Sequence, residues 1–235
     1  TSTINENLAI STIIYDANAI DADAGDTLTY SVSGTDAGLI TIDADDGEVR
    51  LKTSANFETK NSYSFNVIAA DDGTGALSDT LGITVSVNDL NDAPVITSAT
   101  TVSADENLGA STVVYDADAA DEDSGDTLTY SVSGTDAGLI TIDADDGEVR
   151  LNASADFETK SSYSFNVVVT DDGAGTLSDT EAITLNINDV NDAPVFLSGN
   201  SAAVSENLLN STIVYYSNTS DSDPGQSVTY SVSGT

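Results

Sequence analysis

Cysteine, histidine, methionine and tryptophan are all missing from the 235 residues, and only 5 are lysine or arginine. Each absence closes a class of chemistry. Without cysteine there is no disulfide and no thiol nucleophile, and without histidine there is no Ser-His-Asp triad. Lacking both, the chain cannot build an ordinary tetrahedral zinc site. Against the 5 basic groups stand 40 Asp or Glu, a formal net charge of −35. That charge repels nucleic acid and acidic lipid headgroups, so neither is expected as a direct partner. No apolar run approaches the length of a membrane-spanning helix, so no membrane insertion is expected in this segment. The stretch up to Glu6 has neither a basic nor an apolar region, so no signal peptide is expected there. The sequence reads as an excerpt of something longer.

What is left is oxygen chemistry. A cation is the natural partner of so many carboxylates, and oxygen-only ligands favour hard ions, calcium or magnesium, over transition metals. High charge with few aromatics is also the signature of disorder. Here 39% of residues are hydrophobic, and their placement is ordered.

An internal repeat governs that order. Glu6-Asn7-Leu8 recurs as Glu106-Asn107-Leu108 and as Glu206-Asn207-Leu208, a period of 100 residues, and the run Gly25 to Leu51 is identical to Gly125 to Leu151. Two units are complete, 1–96 and 97–196, and a third, 197–235, is incomplete. The period is too long for a solenoid and suits domains that fold independently, strung end to end.

Within a unit the apolar residues alternate with period two: Leu28, Tyr30, Val32; Tyr63, Phe65, Val67; Ile83, Val85, Val87. Ile40 with Ile42 and Val49 with Leu51 flank the turn-like Asp43 to Gly47. This pattern predicts short antiparallel strands, about seven per unit, and hence an all-β chain of tandem seven-stranded Greek-key sandwiches. The inward aromatics Tyr30, Tyr63 and Phe65 read as core. Three strands are expected in the incomplete unit.

Asp89-Leu90-Asn91-Asp92-Ala93-Pro94 closes the first unit and Asp189-Val190-Asn191-Asp192-Ala193-Pro194 closes the second. Proline after alanine holds these linkers extended. With them the chain resembles the cadherin repeat family, whose linker reads Asp-x-Asn-Asp-Asn-x-Pro or close to it. Its early Glu matches Glu6, Glu106 and Glu206. Its Asp-x-Glu matches Asp156-Phe157-Glu158 and, with one carboxylate lost, Asn56-Phe57-Glu58. Its Asp-x-Asp matches Asp21-Ala22-Asp23, Asp121-Glu122-Asp123 and Asp221-Ser222-Asp223, and its later Asp matches Asp71 and Asp171. Ala93 and Ala193 stand where the family commonly has a second Asn.

The resemblance implies a calcium joint at each junction. The first would gather Glu6, Asn56, Glu58, Asp89, Asn91, Asp92, Asp121, Asp123 and Asp171. The second would gather Glu106, Asp156, Glu158, Asp189, Asn191, Asp192, Asp221 and Asp223. Calcium takes six to eight oxygens, whereas magnesium holds its waters and demands a tight octahedron. Without ions, two carboxylates about 6 Å apart repel by roughly 3 kcal/mol at an effective dielectric near 20, so ion binding is expected to stiffen each joint.

The implied function is a calcium-binding, extracellular tandem-repeat segment that stiffens into a rod, the spacer or adhesive part of a large cell-surface or secreted adhesin. Near-identical units, no cysteine and extreme acidity look like the secreted adhesins of bacteria. Two alternatives come from other classes: a module binding cell-surface carbohydrate or another copy of itself, and a subunit of a surface layer or filament. Recognition by a binding module needs exposed aromatic anchors; Tyr216, where the other units carry Asp16 and Asp116, is the one irregular candidate. Asp43 to Gly47 has the wrong spacing for an EF-hand. Carboxylate pairs could serve a glycosidase, but each has a place in a joint, so no enzyme is expected.

Overall fold

The alternating stretches become strands in the computed structural model, which describes residues 2–23 and 25–234. The first set is β1 (Ser2–Asn5), β2 (Ile13–Asp16), β3 (Thr29–Ser33), β4 (Ile40–Ile42), β5 (Glu48–Leu51), β6 (Ser62–Ala70) and β7 (Ser78–Asn88). These form a four-stranded sheet in the order β1-β7-β6-β3 and a three-stranded sheet in the order β2-β5-β4. Successive strands repeatedly change sheet, which makes the unit a Greek-key β-sandwich. Pairing is antiparallel except for β1 on β7, where Ser2 lies opposite Val85 and the ladder runs parallel.

The period-two pattern decides what is inside. Tyr63, Phe65 and Val67 on β6 and Ile83, Val85 and Val87 on β7 are buried, and they meet Ile14, Ile40, Val49 and Leu51 of the other sheet. Burying each such side chain contributes about 1.5–3 kcal/mol. Tyr30 is half-buried at the edge of this core.

The second set repeats the arrangement: β9 (Thr101–Asp105), β10 (Val113–Asp116), β12 (Thr129–Ser133), β13 (Ile140–Ile142), β14 (Glu148–Leu151), β15 (Ser162–Thr170) and β16 (Ser178–Asn188). Their sheets run β12-β15-β16-β9 and β10-β14-β13, again with a parallel β9–β16 pair. A short ladder is added where β8 (Val95–Ile96) pairs with β11 (Ala119–Ala120). The chain divides into two compact units. One runs to Ala93 and takes in Asp121–Thr127 and Asp172–Leu177; the other holds Pro94–Ala120, Leu128–Asp171 and the residues from Ser178. Apart from two 3-10 turns, Ala37–Leu39 and Ala137–Leu139, no helix occurs among the described residues, and none is long and apolar enough to cross a membrane.

The incomplete repeat departs from expectation. Instead of three strands, residues 197–235 contribute only β18 (Thr219–Ser220), which pairs with β17 (Val195–Phe196) at the end of the second repeat. The reason is pairing. In the preceding repeat β9, β10 and β12 bond to β16, β14 and β15, and among the described residues the matching stretches 201–205, 213–216 and 229–233 have no such ladder partner. A strand without a neighbour leaves its backbone unpaired, and Ile213, Val214 and Tyr216 are exposed.

Two polar devices recur. Asp36 is 7% exposed; Ser64 N–H donates to its Oδ2 at 2.7 Å and Lys60 Nζ lies 3.0 Å from its Oδ1. The Ser64 N–H, then the Lys60 ammonium, hold its carboxyl below the usual range against the opposing effect of burial. Asp136, Ser164 and Lys160 build the same knot. The second device is the β4–β5 hairpin. Gly47 sits at φ +80, and a Cβ there would lie 2.5 Å from the Ala17 carbonyl oxygen.

Candidate metal centre

The first site grows out of one buried acid at the end of β1. Glu6 is 1% exposed. Phe57 N–H donates to its Oε2 and Leu90 N–H to its Oε1, both at 2.7 Å. A single carboxylate therefore ties the strand end to the Asn56–Glu58 loop and to the linker. Asn7 follows in the left-handed region at φ 58, a conformation asparagine tolerates better than most residues. From there its N–H donates to Ala55 O at 2.9 Å and its side-chain amide to Asp92 Oδ1 at 2.8 Å.

These tethers bring acids together. Glu6, Glu58 and Asp89 place carboxylate oxygens within 4.8 Å of one another, and so do Glu58, Asp92 and Glu122. Asp92 N–H donates to Asp123 Oδ2 at 2.6 Å, and Asp123 N–H to Asp121 Oδ1 at 3.0 Å. A cleft of about 730 Å³ opens here, lined by Glu58, Asp89, Asn91, Glu122, Asp123 and Asp126 among others. Asn56 is turned to the loop it begins, where Thr59 N–H donates to its Oδ1 at 2.7 Å. Asp171 belongs to the other compact unit, where it is buried.

The second unit reproduces the plan with an offset of 100. Glu106, 3% exposed, accepts from Phe157 N–H and Val190 N–H, both at 2.8 Å. Asn107, at φ 60, donates to Asp192 Oδ1 at 2.8 Å. Asp192 N–H reaches Asp223 Oδ2 at 2.7 Å, and Asp223 N–H reaches Asp221 Oδ1 at 3.2 Å. Glu106, Glu158 and Asp189 hold oxygens within 4.8 Å of one another. Asp156 caps its loop through Thr159 N–H at 2.9 Å. Asn191 donates to Asp192 O at 3.1 Å and accepts from the Gln226 side chain at 2.7 Å.

Crowding shows in the proton affinities. Burial, then the charges of Glu6, Asp89 and Asp123, push the Glu58 carboxyl up against the opposing pull of its own N–H. Burial first, then the neighbouring carboxylates Asp123 and Glu6, raise Asp89. Burial and the charges of Glu6, Asp123 and Glu122 raise Asp92 despite the Asn7 amide. Asp189 rises for the same reasons as Asp89, with Asp223 and Glu106 as neighbours. Glu158 has its own N–H pulling its carboxyl down, and burial with Glu106, Asp189 and Asp223 outweighs that pull. Among the described residues no Lys or Arg contributes to these shifts, and Arg50, Lys60, Arg150 and Lys160 are paired elsewhere, with Glu48, Asp36, Glu148 and Asp136.

The donor set suits a hard divalent cation. It is all oxygen, and Asp121 Oδ2 is a buried carboxylate oxygen with no hydrogen-bond donor among the described residues, which a cation would satisfy. Sequence reasoning missed three contributors. Asn7 and Asn107 served there only to mark the repeat, although an Asn after each early Glu is the available signal. Glu122 was passed over as the variable middle of an Asp-x-Asp.

Comparison with known proteins agrees with the fold. The Cadherin domain family model matches residues 1–88 and 100–188. Human Protocadherin Fat 1 is 35% identical over 216 residues, covering 88% of this chain and 5% of that protein. Human Protocadherin-1 is 37% identical over 168 residues, covering 68% of this chain and 16% of that protein. The chain thus spans a small fraction of these relatives. Among solved structures, mouse Cadherin-23 EC22-24 superposes with a TM-score of 0.59 at 24% identity, covering 95% of this chain and 75% of that one. Human CDH23 EC21-23 gives 0.61 at 23% identity, covering 95% and 83%.

Proposed function

The chain belongs to the cadherin domain family, and from that premise we propose that its two acidic centres bind calcium and that binding stiffens the segment into a spacer rod. Cadherin domains are extracellular modules of adhesion proteins rather than enzymes, and this segment is a tandem of them. The observation that carries the calcium reading is duplication. The same buried glutamate, clamped by two backbone N–H groups, presents the same carboxylate cluster at Glu6, Glu58, Asp89 and again at Glu106, Glu158, Asp189.

In this reading Glu6, Glu58, Asp89, Asp92, Asp121 and Asp123 hold ions at the first centre, with Asn56 and Asn91 beside them and Asp171 joining them. Glu106, Asp156, Glu158, Asp189, Asp192, Asp221 and Asp223, with Asn191, do so at the second. Bound calcium supplies positive charge that cancels repulsion between carboxylates the fold holds together. The repeats 1–96 and 97–196 are the rigid segments so joined, with 197–235 as the start of a third. We assign the segment to a large secreted or cell-surface adhesin of the bacterial type. The support is near-identity of repeats and complete absence of cysteine, which suit a spacer whose units need length rather than individual binding sites.

The test is calorimetric titration of calcium into chelator-treated protein, with small-angle scattering at each end point. The reading expects saturable binding in the range of extracellular modules, about 10⁻⁴–10⁻³ M, with a larger maximum dimension in calcium. Absence of binding at 10 mM calcium sinks the metal assignment; binding with an unchanged maximum dimension sinks the rod.

A further inference from the structure

The two centres are near copies, so the positions where they differ are informative. Two differences face each other. Position 56 is Asn where 156 is Asp, and position 122 is Glu where 222 is Ser. Asn56 and Asp156 share one task, since each Oδ1 accepts the N–H of the residue three further on. What remains of the side chain is opposite in chemistry. Asp156 has a second anionic oxygen, whereas Asn56 has an NH₂ group, a donor that cannot ligate a cation. That NH₂ donates to Glu122 Oε2. Glu122 in turn places a carboxylate oxygen within 4.8 Å of oxygens on Glu58 and Asp92. At the second centre the residue in this place, Ser222, brings a neutral hydroxyl that donates to Asp192 Oδ2 at 2.9 Å.

We propose that Glu122 is a calcium ligand peculiar to the first centre, supplying the carboxylate that Asn56 lacks. The anionic ligand has moved across the site, from position 156 at one centre to position 122 at the other. Over matching positions each centre then carries seven carboxylates: Glu6, Glu58, Asp89, Asp92, Asp121, Glu122 and Asp123 against Glu106, Asp156, Glu158, Asp189, Asp192, Asp221 and Asp223. The Asn56 amide gains a role in this arrangement, because its hydrogen bond fixes Glu122 with its carboxylate over the cleft. Calcium affinity depends on the number of charged ligands, so the exchange keeps the first centre from being the weaker one.

The inference rests on the calcium reading, and a site-resolved titration separates the two. Calcium is added to ¹⁵N-labelled protein while the amide signals of Asn91 and Asp92 report the first centre and those of Asn191 and Asp192 the second. Glu122→Ser is expected to weaken the first centre at least about ten-fold, the scale on which even second-layer partners of a metal act, and to leave the second unchanged. Adding Asn56→Asp to Glu122→Ser is expected to restore most of that loss. At the second centre, Asp156→Asn is expected to weaken binding and Ser222→Glu to recover it. If the unsubstituted protein shows no calcium-dependent shift at either centre, the calcium reading itself fails. If it binds calcium and Glu122→Ser binds equally well, or Asn56→Asp gives no recovery, only the ligand exchange is overturned.

Discussion

Glu106 and Glu158 are neighbours in one cluster, yet neutralising them in calcium-free protein should have opposite consequences. Glu106 is buried, and each of its oxygens accepts one backbone N–H, from Phe157 and from Val190. Glu106→Gln keeps one acceptor and turns an NH₂ against the other N–H donor. One charge-assisted hydrogen bond is lost and a buried donor is left without an acceptor, a cost of about 2–3 kcal/mol. At about 4–8 °C per kcal/mol for a domain of roughly this size, the unit carrying Glu106 should melt roughly 10–20 °C lower. Glu158 has a raised carboxyl pKa because burial and the charges of Glu106, Asp189 and Asp223 outweigh its own N–H. Removing its charge relieves repulsion, so Glu158→Gln should melt at or above the parent temperature in chelator and below it in calcium. Scanning calorimetry of both variants in 1 mM chelator and in 10 mM calcium makes the comparison. A Glu106→Gln protein that melts within about 2 °C of the parent would refute the view that this carboxylate is a structural clamp. A Glu158→Gln protein destabilised in chelator would refute the account of crowding.

Three further outcomes follow from the packing and the charges. In chelator, stability should pass through a maximum on acidification. Glu58, Asp89, Asp92 and Asp189 have raised folded pKa values, so stability falls as pH rises through their titration and is regained on acidification from neutral. Asp36 and Asp136 have depressed values, so the stability they contribute is complete above the unfolded pKa and lost as pH falls through the folded one; a monotonic decline from pH 7 in urea melts would contradict this order. Gly147→Ala should cost about 2 kcal/mol or more in urea midpoint experiments, since φ is +78 and the new Cβ would lie 2.4 Å from the Ala117 carbonyl oxygen. Gly138→Ala meets nothing within 4 Å and should change little. Phe165→Ala, removing a ring that is 1% exposed and packed edge-on to Tyr115, should cost about 3–5 kcal/mol in the same assay.

Much of the fold was legible because half-buried strands write their inward face into every second residue. Tyr63-Ser64-Phe65-Asn66-Val67 declares its strand, its face and its core residues together, and the hairpin at Asp43 to Gly47 follows from its turn residues. The incomplete repeat was misread by the same logic. Alternation at Val228-Thr229-Tyr230-Ser231-Val232 marks strand-forming capacity, but a strand exists only when a neighbour takes its hydrogen bonds, and residues 228–234 have no strand assigned. The acids of each centre could be grouped through the linker motif, yet not their division of labour. Nothing in composition separates Glu6, which is spent on two backbone N–H groups, from Glu58, which is left facing other acids. Glu122 escaped notice because its meaning lies in Asn56, 66 residues away in sequence and hydrogen-bonded to it in space.

The parallel pairing of the first and last strands within each sandwich has a mechanical consequence. In the second sandwich the chain passes the short β8–β11 ladder into the start of β9 and leaves from the end of β16, and Thr101 to Asp105 lie beside Thr184 to Asn188 in parallel register. Tension applied along the chain therefore pulls these two strands past each other lengthwise. The ladder bonds between them share the load and must break together, instead of opening one at a time as at the free end of a hairpin. Resistance to forced unfolding is set by the rate of crossing that barrier rather than by equilibrium stability. A modest core closed by a parallel clasp can thus bear sustained drag along its length.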